Sequence, residues 1–349
     1  MKYSIPFNRL FTDKSTRYIN FGGVFNDLPD CIITGEVPSF SLQTSDVLMM
    51  TGASDNHALM SFNCLYSMVL ADPYASYVYL NLGMNNITEH MLFSHFRTII
   101  MIQGKMKSSG IVGYRVFNWD SFPEWMSIKK RGARDSGYSW KVIPVVDVFY
   151  EWKAILYWLD GGCVIRDGIN REVTMARHHG LFSPHSGGDV NQWTHNDTQH
   201  FMVKNGLLHH YVDGKQPMAM GGVFVMDYSN ATIRNRVVPL FLRCAYTQKC
   251  IVPKNSSYYN HRQDQSVLTL LIAEYHIPYC ATVKYKYTPA LHTDGLTPDG
   301  IKRTALNLLT KIQNTYNIRV QNEYYNTTGW KQTREEFHEV SREIDDSWY

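Results

Sequence analysis

The strongest constraint on the fold is an alternation of strand and helix patterns over residues 46–160. The strand patterns are short apolar runs at 46–50, 76–82, 111–117 and 154–159. The helix patterns between them carry apolar residues three and four apart, at 57–70, 87–103 and 140–152. This β-α-β-α-β-α-β order predicts a parallel, doubly wound α/β sheet, which binds ligands at the carboxyl ends of its strands.

The rest of the chain divides around this block. Residues 1–45 carry many Gly, Pro, Ser and Thr and are predicted to form an irregular N-terminal arm. Residues 46–162 are the α/β half, and 163–300 are a second half of the same domain. Within it, 163–220 looks loop-rich and holds seven of the 14 histidines. Two further strands are predicted at 222–227 and 249–252, and two helices at 230–247 and 264–275. A helix at 301–316 and a polar tail form a C-terminal unit of residues 301–349.

Composition excludes several classes of function. The chain has 349 residues and a net charge of +3, without the basic surface expected of a nucleic-acid-binding protein. No apolar run approaches the roughly 18 residues of a membrane span, and no signal peptide is evident. Six cysteines form no C-x-x-C pair, and only Cys244 and Cys250 lie close in sequence.

Two predicted strand ends carry candidate chemistry. Asp160-Gly161-Gly162 follows the last strand, where a carboxylate suits a divalent cation that bridges a diphosphate, or else closes a turn. Thr51-Gly52-Ala53-Ser54 follows the first strand and offers backbone N–H groups to a nucleotide. It is neither a dinucleotide fingerprint nor a P-loop, and by itself the turn is a weak signal.

Two further groups of polar residues leave alternatives open. The run His261-Arg262-Gln263-Asp264-Gln265 precedes an apolar helix, so it is either a capping sequence or a helix start that points Asp264 and Gln265 into a cleft. The histidines of 178–210 suggest a zinc-dependent hydrolase, but no H-E-x-x-H spacing or adjacent Cys or acid supports it.

Taken in order, several short motifs resemble a known family. They are Thr51–His57, Tyr79-Leu80-Asn81-Leu82-Gly83, Tyr138-Ser139-Trp140-Lys141, Trp158–Gly162, Trp193-Thr194-His195, Cys244–Pro253 and His261–Ser266. Together they are similar to nucleotide-diphospho-sugar transferases of GT-A fold, and in particular to a glycosyltransferase-like branch of animals, plants and large viruses. The resemblance spans about residues 45–275. It implies a GT-A-like mixed sheet with a loop-rich acceptor half.

The resemblance also implies roles for individual residues. Donor binding would fall to Thr51, Gly52, Ala53, Lys141, Asp160, Gly161 and Gly162. Acceptor binding would fall to Trp193, His195, Gly221, Gly222, Arg262 and Gln265. Asp160 and Asp264 would be catalytic, and Asp160 with His292 would hold Mn²⁺ or Mg²⁺. Gly162 stands where the family's D-x-D motif has its second acid, which weakens the metal assignment.

The function expected from this resemblance is transfer of a hexosyl or pentosyl group from a nucleotide-diphosphate donor, with UDP-sugar the first expectation. The acceptor would be a hydroxyl of a glycan or glycoprotein. The alternative is a non-catalytic carbohydrate- or nucleotide-binding protein on the same scaffold. Because no N-terminal anchor is evident, a soluble cytoplasmic protein, viral or otherwise, is expected. A trimmed Golgi-lumenal chain is the alternative, in which Cys244 and Cys250 would form a disulfide.

Overall fold

The fold is known from a computed structural model, which describes residues 16–19, 45–128, 136–166, 168–278, 290–292 and 297–318. No helix in these ranges is both long and apolar enough to cross a membrane.

A seven-stranded mixed sheet forms the centre of the molecule, in the order β1-β4-β3-β2-β5-β10-β7. Its strands are Thr16–Ile19 (β1), Val47–Ala53 (β2), Ser76–Asn81 (β3), Val112–Val116 (β4), Ile155–Leu159 (β5), Leu181–Phe182 (β7) and Val223–Asp227 (β10). Two small ribbons pair Cys163–Ile165 (β6) with Ala290–His292 (β11), and His185–Asp189 (β8) with Pro217–Ala219 (β9).

Helices cover both faces of the sheet. They are Ala58–Ala71 (α1), Asn86–Lys105 (α2), Ser139–Trp152 (α3), Asn170–His179 (α4), Val190–Trp193 (α5), Asn196–Lys204 (α6), Val238–Ala245 (α7), Gln248–Ile251 (α8), Gln263–Glu274 (α9) and Pro298–Tyr316 (α10). A π-helical turn at Ile233–Val237 leads into α7, and short 3₁₀ turns occupy Asp55–His57, Trp119–Ser121 and Glu124–Met126.

Strand alternation divides the apolar side chains between two cores. In β2, Met49 packs on one face with Phe62 of α1 and Phe96 of α2, whereas Met50 packs on the other with residues of α3, α7 and α9. Successive side chains of a strand point to opposite faces, so a strand that is apolar throughout is buried on both sides. All seven residues of β2 are buried. The result is the helix–sheet–helix layering that the alternation predicts.

The order of the central strands determines where a ligand can bind. β4, β3, β2 and β5 are mutually parallel, and the chain builds outward from β2 to β4 before it returns to place β5 on the other side of β2. The strand order therefore reverses between β2 and β5. In open α/β sheets this reversal opens a crevice at the carboxyl ends of the strands.

Most predicted elements of the first half are confirmed to within a few residues. The expected mixed sheet is confirmed as well: the four strands of residues 46–160 are parallel, whereas β1, β10 and β7 are antiparallel to their neighbours. Other expectations are wrong. Thr16–Ile19, in the arm predicted to be irregular, pairs with β4. The segment 163–220 is not merely loop-rich, since α4 and α6 lie within it. In α4 only Glu172, Val173 and Ala176 are buried, too narrow a stripe for helical periodicity to be detected.

The strand predicted at 249–252 is a helical turn instead. Cys250 forms a disulfide with Cys244, with 5.2 Å between their Cα atoms, and its N–H donates to the Thr247 carbonyl. Because this tether joins residues only six apart, the chain must turn back rather than extend. The apolar, β-branched residues that favoured a strand, Ile251 and Val252, follow this constrained turn.

Candidate functional site

The candidate site lies at the reversal between β2 and β5, where Asp160 follows the carboxyl end of β5. Its backbone N–H donates to the Gly222 carbonyl at 2.8 Å, and its carbonyl accepts from Cys163 N–H at 2.8 Å. The turn is thus fixed between the end of β5, the start of β6 and the segment that enters β10. The Asp160 side chain retains 29% of its exposure, so it faces an accessible edge of the sheet.

A buried ammonium joins Asp160 to a second carboxylate from a distant part of the chain. Lys141 Nζ, at the start of α3, lies 3.3 Å from Asp160 Oδ1 and 2.6 Å from Asp264 Oδ2 at the start of α9. It also donates to the Gly221 carbonyl at 3.0 Å. Lys141 thus donates hydrogen bonds to Asp160 and Gly221 and forms an ion pair with Asp264, so its ammonium is surrounded by groups of the protein itself. Trp158 Nε1 also donates to Asp160 Oδ1 at 2.8 Å. We call the three charged residues, Lys141, Asp160 and Asp264, the acidic cluster.

Burial controls the protonation of this cluster. The two carboxylates raise the pKa of Lys141 above its ordinary value, against the effect of its own burial, so the lysine stays charged. Burial raises the pKa of Asp264 to about 6, although Lys141 opposes that rise. Above that pH the cluster carries one positive and two negative charges, and the surplus of negative charge favours a cation at this edge of the sheet.

Two glycines allow backbone and side chains to approach closely around the acidic cluster. A Cβ at Gly161 would lie 2.8 Å from the Gly52 carbonyl oxygen at the end of β2. A Cβ at Gly221 would lie 2.9 Å from Gln265 Cβ and 3.3 Å from Asp264 Oδ2. Neither contact can be relieved easily, because the opposing atoms belong to backbone or to the base of a side chain. The ends of β2 and β5 and the start of α9 therefore pack closely at these two positions.

The backbone is strained on both sides of the cluster. Tyr138, which precedes α3, has a φ of 53°, and its ring centroid lies 5.5 Å from Lys141 Nζ. Gln263, which precedes Asp264, has a φ of 43° and is buried. Residues other than glycine rarely adopt these values, and strain of this kind collects at functional sites.

The residues predicted to bind the acceptor form a second group beside the cluster. The Arg262 guanidinium stacks on the Trp193 ring, and the Arg262 N–H donates to the Trp193 carbonyl at 3.0 Å. The His195 N–H donates to His261 Nδ1 at 3.2 Å, and His261 Nε2 lies 3.0 Å from the Ile251 carbonyl oxygen. Burial lowers the pKa of His261 to about 4, so this histidine is neutral and supports the local packing.

The residues predicted to bind the donor occupy the end of β2. Thr51 is buried, and its Oγ1 lies 3.6 Å from Cys64 Sγ in the core. Only its backbone, with that of Gly52 and Ala53, belongs to the strand end. Asn81, at the end of β3, holds the next turn by accepting from the N–H groups of Gly83 and Met84.

Two residues, Asp160 and His292, are predicted to bind a metal ion, and the structure describes the side chain of Asp160 only. Among the described residues no group of three His, Cys, Asp or Glu side chains could hold a metal ion, which leaves the zinc hypothesis for the histidine-rich segment without a ligand set there. Asp160 has one oxygen, Oδ1, committed to Trp158 and Lys141, and Gly162 supplies no carboxylate. The His292 backbone pairs with Cys163, close to the Asp160 turn, but its side chain lies outside the described residues.

Sequence reasoning missed Trp158 and Tyr138 as parts of the site. Trp158 lies two residues before Asp160, and side chains two apart along a strand share a face, so its indole could have been expected beside the carboxylate. Tyr138 follows Gly137, which has a φ of 66°, and both lie in the turn before α3. No residue pattern in the sequence signals that a tyrosine there adopts a left-handed conformation.

Comparison with known proteins yields solved structures only. No family model matches the chain, and no curated protein matches it. Similar solved structures include the bifunctional glycosyltransferase WbbM, which is 12% identical with a TM-score of 0.40 over 68% of this chain and 39% of its own length. The galactosyltransferase LgtC, in complex with donor and acceptor sugar analogs, is 14% identical with a TM-score of 0.39 over 66% of this chain and 72% of its own. Core-mannan synthase A of Aspergillus fumigatus, in a Mn/GDP form, is 9% identical with a TM-score of 0.42 over 74% of this chain and 82% of its own.

All three are glycosyltransferases, the class that the sequence motifs resemble. The chain spans well under half of WbbM and most of the other two. Because identities and TM-scores of this size denote distant likeness, we base the functional proposal on the side chains of the site.

Proposed function

We propose that the protein is a glycosyltransferase that moves a sugar from a nucleotide-diphosphate donor, UDP-sugar first among them, to a hydroxyl of a glycan or glycoprotein. One observation carries the proposal: a buried lysine joins two carboxylates at the point where the order of the parallel strands reverses. Buried charged groups with shifted pKa values, at an edge of the sheet where ligands bind, are typical of functional sites.

The nucleotide would lie across the end of β2. The backbone of Thr51, Gly52 and Ala53 forms the strand end there, and Gly161 brings the Asp160 turn against it. In this arrangement the diphosphate would lie toward Asp160. Lys141 acts by holding Asp160, Asp264 and Gly221 in register rather than by contacting the phosphates itself, since its ammonium is buried among these three groups.

The residues fit a divalent cation that arrives with the donor. Asp160 Oδ2 has no hydrogen-bond partner among the described residues and can bind a cation, and His292 is the second proposed ligand. Mg²⁺-type ions are commonly held by one or two carboxylates plus substrate phosphates, which suits a site with one acid and a glycine in the second place. Such a cation, when bound, stabilises the negative charge that grows on the leaving diphosphate.

Asp264 is the proposed acceptor-side carboxylate. Its pKa of about 6 leaves it ionised at neutral pH yet close enough to that pH to take up a proton. In an inverting reaction it would remove the proton of the attacking hydroxyl, and in a retaining one it would orient the acceptor. Gly221, whose Cβ position would lie 3.3 Å from Asp264 Oδ2, and Gln265, which follows Asp264, are the nearest further acceptor contacts proposed, and Trp193 and Gly222 complete them.

The proposal is tested by thermal unfolding with UDP, GDP, CMP and dTDP sugars, with and without Mn²⁺. A ligand at about 100 times its Kd adds about 2.7 kcal/mol to the free energy of unfolding, which raises the Tm by several degrees. We expect one nucleotide class to do so in the wild type and to lose the effect in Asp160→Asn. The matched control is Asp299→Asn, at an exposed acid of α10, which should keep it. A protein stabilised by none of the four classes would contradict the proposal.

A non-catalytic binding protein is the second candidate, and Gly162 is the observation that favours it. With one carboxylate instead of two, a cation is held less firmly, and a scaffold can retain binding after it loses transfer. The two candidates differ in turnover. Release of free nucleoside diphosphate from a stabilising nucleotide sugar in the presence of acceptor, or slowly with water, supports the transferase.

A further inference from the structure

A second cation lies beside the acidic cluster and, unlike Lys141, it has no carboxylate partner among the described residues. The Arg262 guanidinium carbon lies 4.1 Å from the centroid of the Trp193 ring and 3.8 Å from that of Tyr258. Within the described part of the chain, no residue forms an ion pair with this guanidinium or accepts a hydrogen bond from it. With an aromatic ring against it on two sides, the N–H edge is the part that remains for a ligand.

The backbone of Arg262 is fixed by its neighbours. Its N–H donates to the Trp193 carbonyl and to Ser266 Oγ, each at 3.0 Å. Ser266 Oγ in turn donates to the same Trp193 carbonyl at 2.6 Å. An arginine on a fixed backbone and between two rings has little freedom left to lose when it binds, so its planar set of donors is preorganised.

The same turn connects Arg262 to the acidic cluster. Its carbonyl accepts from Gln265 N–H at 3.0 Å, and between the two lie Gln263, with its left-handed backbone, and Asp264. The strained residue therefore separates a carboxylate paired with Lys141 from a guanidinium that pairs with no acid in the described ranges. Because the cluster itself has surplus negative charge, an anionic ligand at this edge needs a cation outside it.

We propose that Arg262 is the anion-binding group of this site and that its ligand is an oxyanion, a phosphate or a carboxylate, held by the N–H edge of the guanidinium. The inference rests on the proposed function. Within it, the oxyanion has two sources: the diphosphate of the donor, or the acid group of an acidic acceptor sugar. Paired N–H donors of arginine match the paired oxygens of either group.

Calorimetric titration with three probes tests the inference and separates the sources. The probes are UDP, methyl β-D-glucuronide and its uncharged counterpart methyl β-D-glucoside. In Arg262→Gln we expect the affinity for one anionic probe to fall about 10-fold to 100-fold, the range for hydrogen bonds to charged groups. Loss confined to UDP assigns the donor diphosphate, whereas loss confined to the glucuronide, with the glucoside unchanged, assigns an acidic acceptor.

Two further variants keep the result interpretable. Arg177→Gln is the matched control, because Arg177 is an exposed arginine paired with Asp46 just before the opposite end of β2. It should bind every probe as the wild type does. Arg262→Lys keeps the charge without the planar donors, and should lose most of the affinity while its Tm stays close to that of the wild type.

Two outcomes would overturn the inference. If Arg262→Gln binds UDP and the glucuronide within twofold of the wild type, Arg262 does not recognise an anion, while UDP binding by both proteins leaves the proposed transferase standing. If the wild type binds neither anionic probe, the inference and the nucleotide-dependent function fall together.

Discussion

Helix α3 takes part in two groups of one cation and two carboxylates, and the two differ in almost everything else. Near its start, Lys141 pairs with Asp160 and Asp264. Near its end, Asp147 and Glu151 pair with Arg115 of β4, whose guanidinium lies 2.9 Å from Asp147 Oδ2. Burial raises the pKa of Asp147 to about 6, as it does that of Asp264. A raised pKa therefore does not by itself identify the functional group of the pair.

Their surroundings distinguish the two groups. The Arg115 group joins one helix to the strand beneath it, and the exposed Glu151 covers one side of it. The acidic cluster joins three separate elements at the strand ends, where two glycines allow close packing. The first arrangement is a helix–sheet contact that stabilises packing. The second holds polar groups together at an accessible edge, which suits a ligand.

Removal of the cation should separate the two groups most strongly. Arg115→Met leaves Asp147 buried without its partner and should lower the free energy of unfolding by about 3–5 kcal/mol. Lys141→Met should cost a similar amount, because it leaves Asp264, whose side chain is 5% exposed, without its partner. Urea unfolding measures both. Nucleotide binding should survive in Arg115→Met and be lost in Lys141→Met, and equal nucleotide binding by the two variants would show that the groups have the same role.

Neutralisation of one carboxylate in each group should lower the transfer rate only when that carboxylate belongs to the acidic cluster. Asp160→Asn removes the carboxylate proposed to act at the donor diphosphate and should reduce the transfer rate about 100-fold to 1000-fold, as the loss of a group that stabilises developing charge does. Asp147→Asn should leave the rate within a few-fold of the wild type. Steady-state kinetics with the nucleotide sugar that stabilises the protein provides the measurement. Full activity of Asp160→Asn would disprove its assignment.

A methyl group at Gly161 should lower stability and weaken nucleotide binding, although it alters no charged group. Its Cβ would lie 2.8 Å from the Gly52 carbonyl oxygen, so Gly161→Ala must separate the Asp160 turn from β2. We expect a loss of about 1–3 kcal/mol in the free energy of unfolding, the usual cost of overpacking, with weaker nucleotide binding. Gly187→Ala is the control, since no atom lies within 4 Å of its Cβ position, and it should be neutral. Equal stability of the two variants would mean that the strand ends do not pack as described.

The two groups should affect the pH dependence of stability in the same way, but only the acidic cluster should affect the pH dependence of activity. The pKa values of Asp264 and Asp147 rise on folding from 3.8 to about 6, so each gives stability that is full below pH 3.8 and lost as the pH rises to about 6. Asn at either position should flatten that slope in urea unfolding. Of the two, only Asp264 is proposed to act in transfer, as the base of an inverting reaction, so kcat/KM of the wild type should fall about tenfold per pH unit below about 6. An acid limb unchanged in Asp264→Asn would exclude this role.

Much of the central fold could be predicted because its signals are local. β2, β5 and the helices α1 to α3 show their periodicity within short windows, and Asp160 and Gly161 could be assigned to a strand end. The antiparallel strands β1, β7 and β10 could not be oriented, since the direction of pairing depends on contacts between distant segments. The strand predicted at 249–252 is wrong for the same reason. The disulfide between Cys244 and Cys250 requires a turn there, although the β-branched residues beside it favour a strand.

The site was predictable in its members but not in its arrangement. Lys141, Asp160 and Asp264 all came from motifs read along the sequence, and Lys141 was assigned to the diphosphate. The structure instead places its ammonium among two carboxylates and a carbonyl. No sequence pattern signals these contacts, since Gly221 lies 80 residues away from Lys141 in the chain.

That separation has a consequence for folding. Contacts between residues so far apart in sequence require the closure of long loops, which makes them entropically costly to form early. The acidic cluster draws on α3, the end of β5, the Gly221 segment and the start of α9, so it assembles only after both halves of the domain have met. Nucleotide binding during refolding would then report completion of the native state, and the isolated α/β half, residues 46–162, would lack a working site.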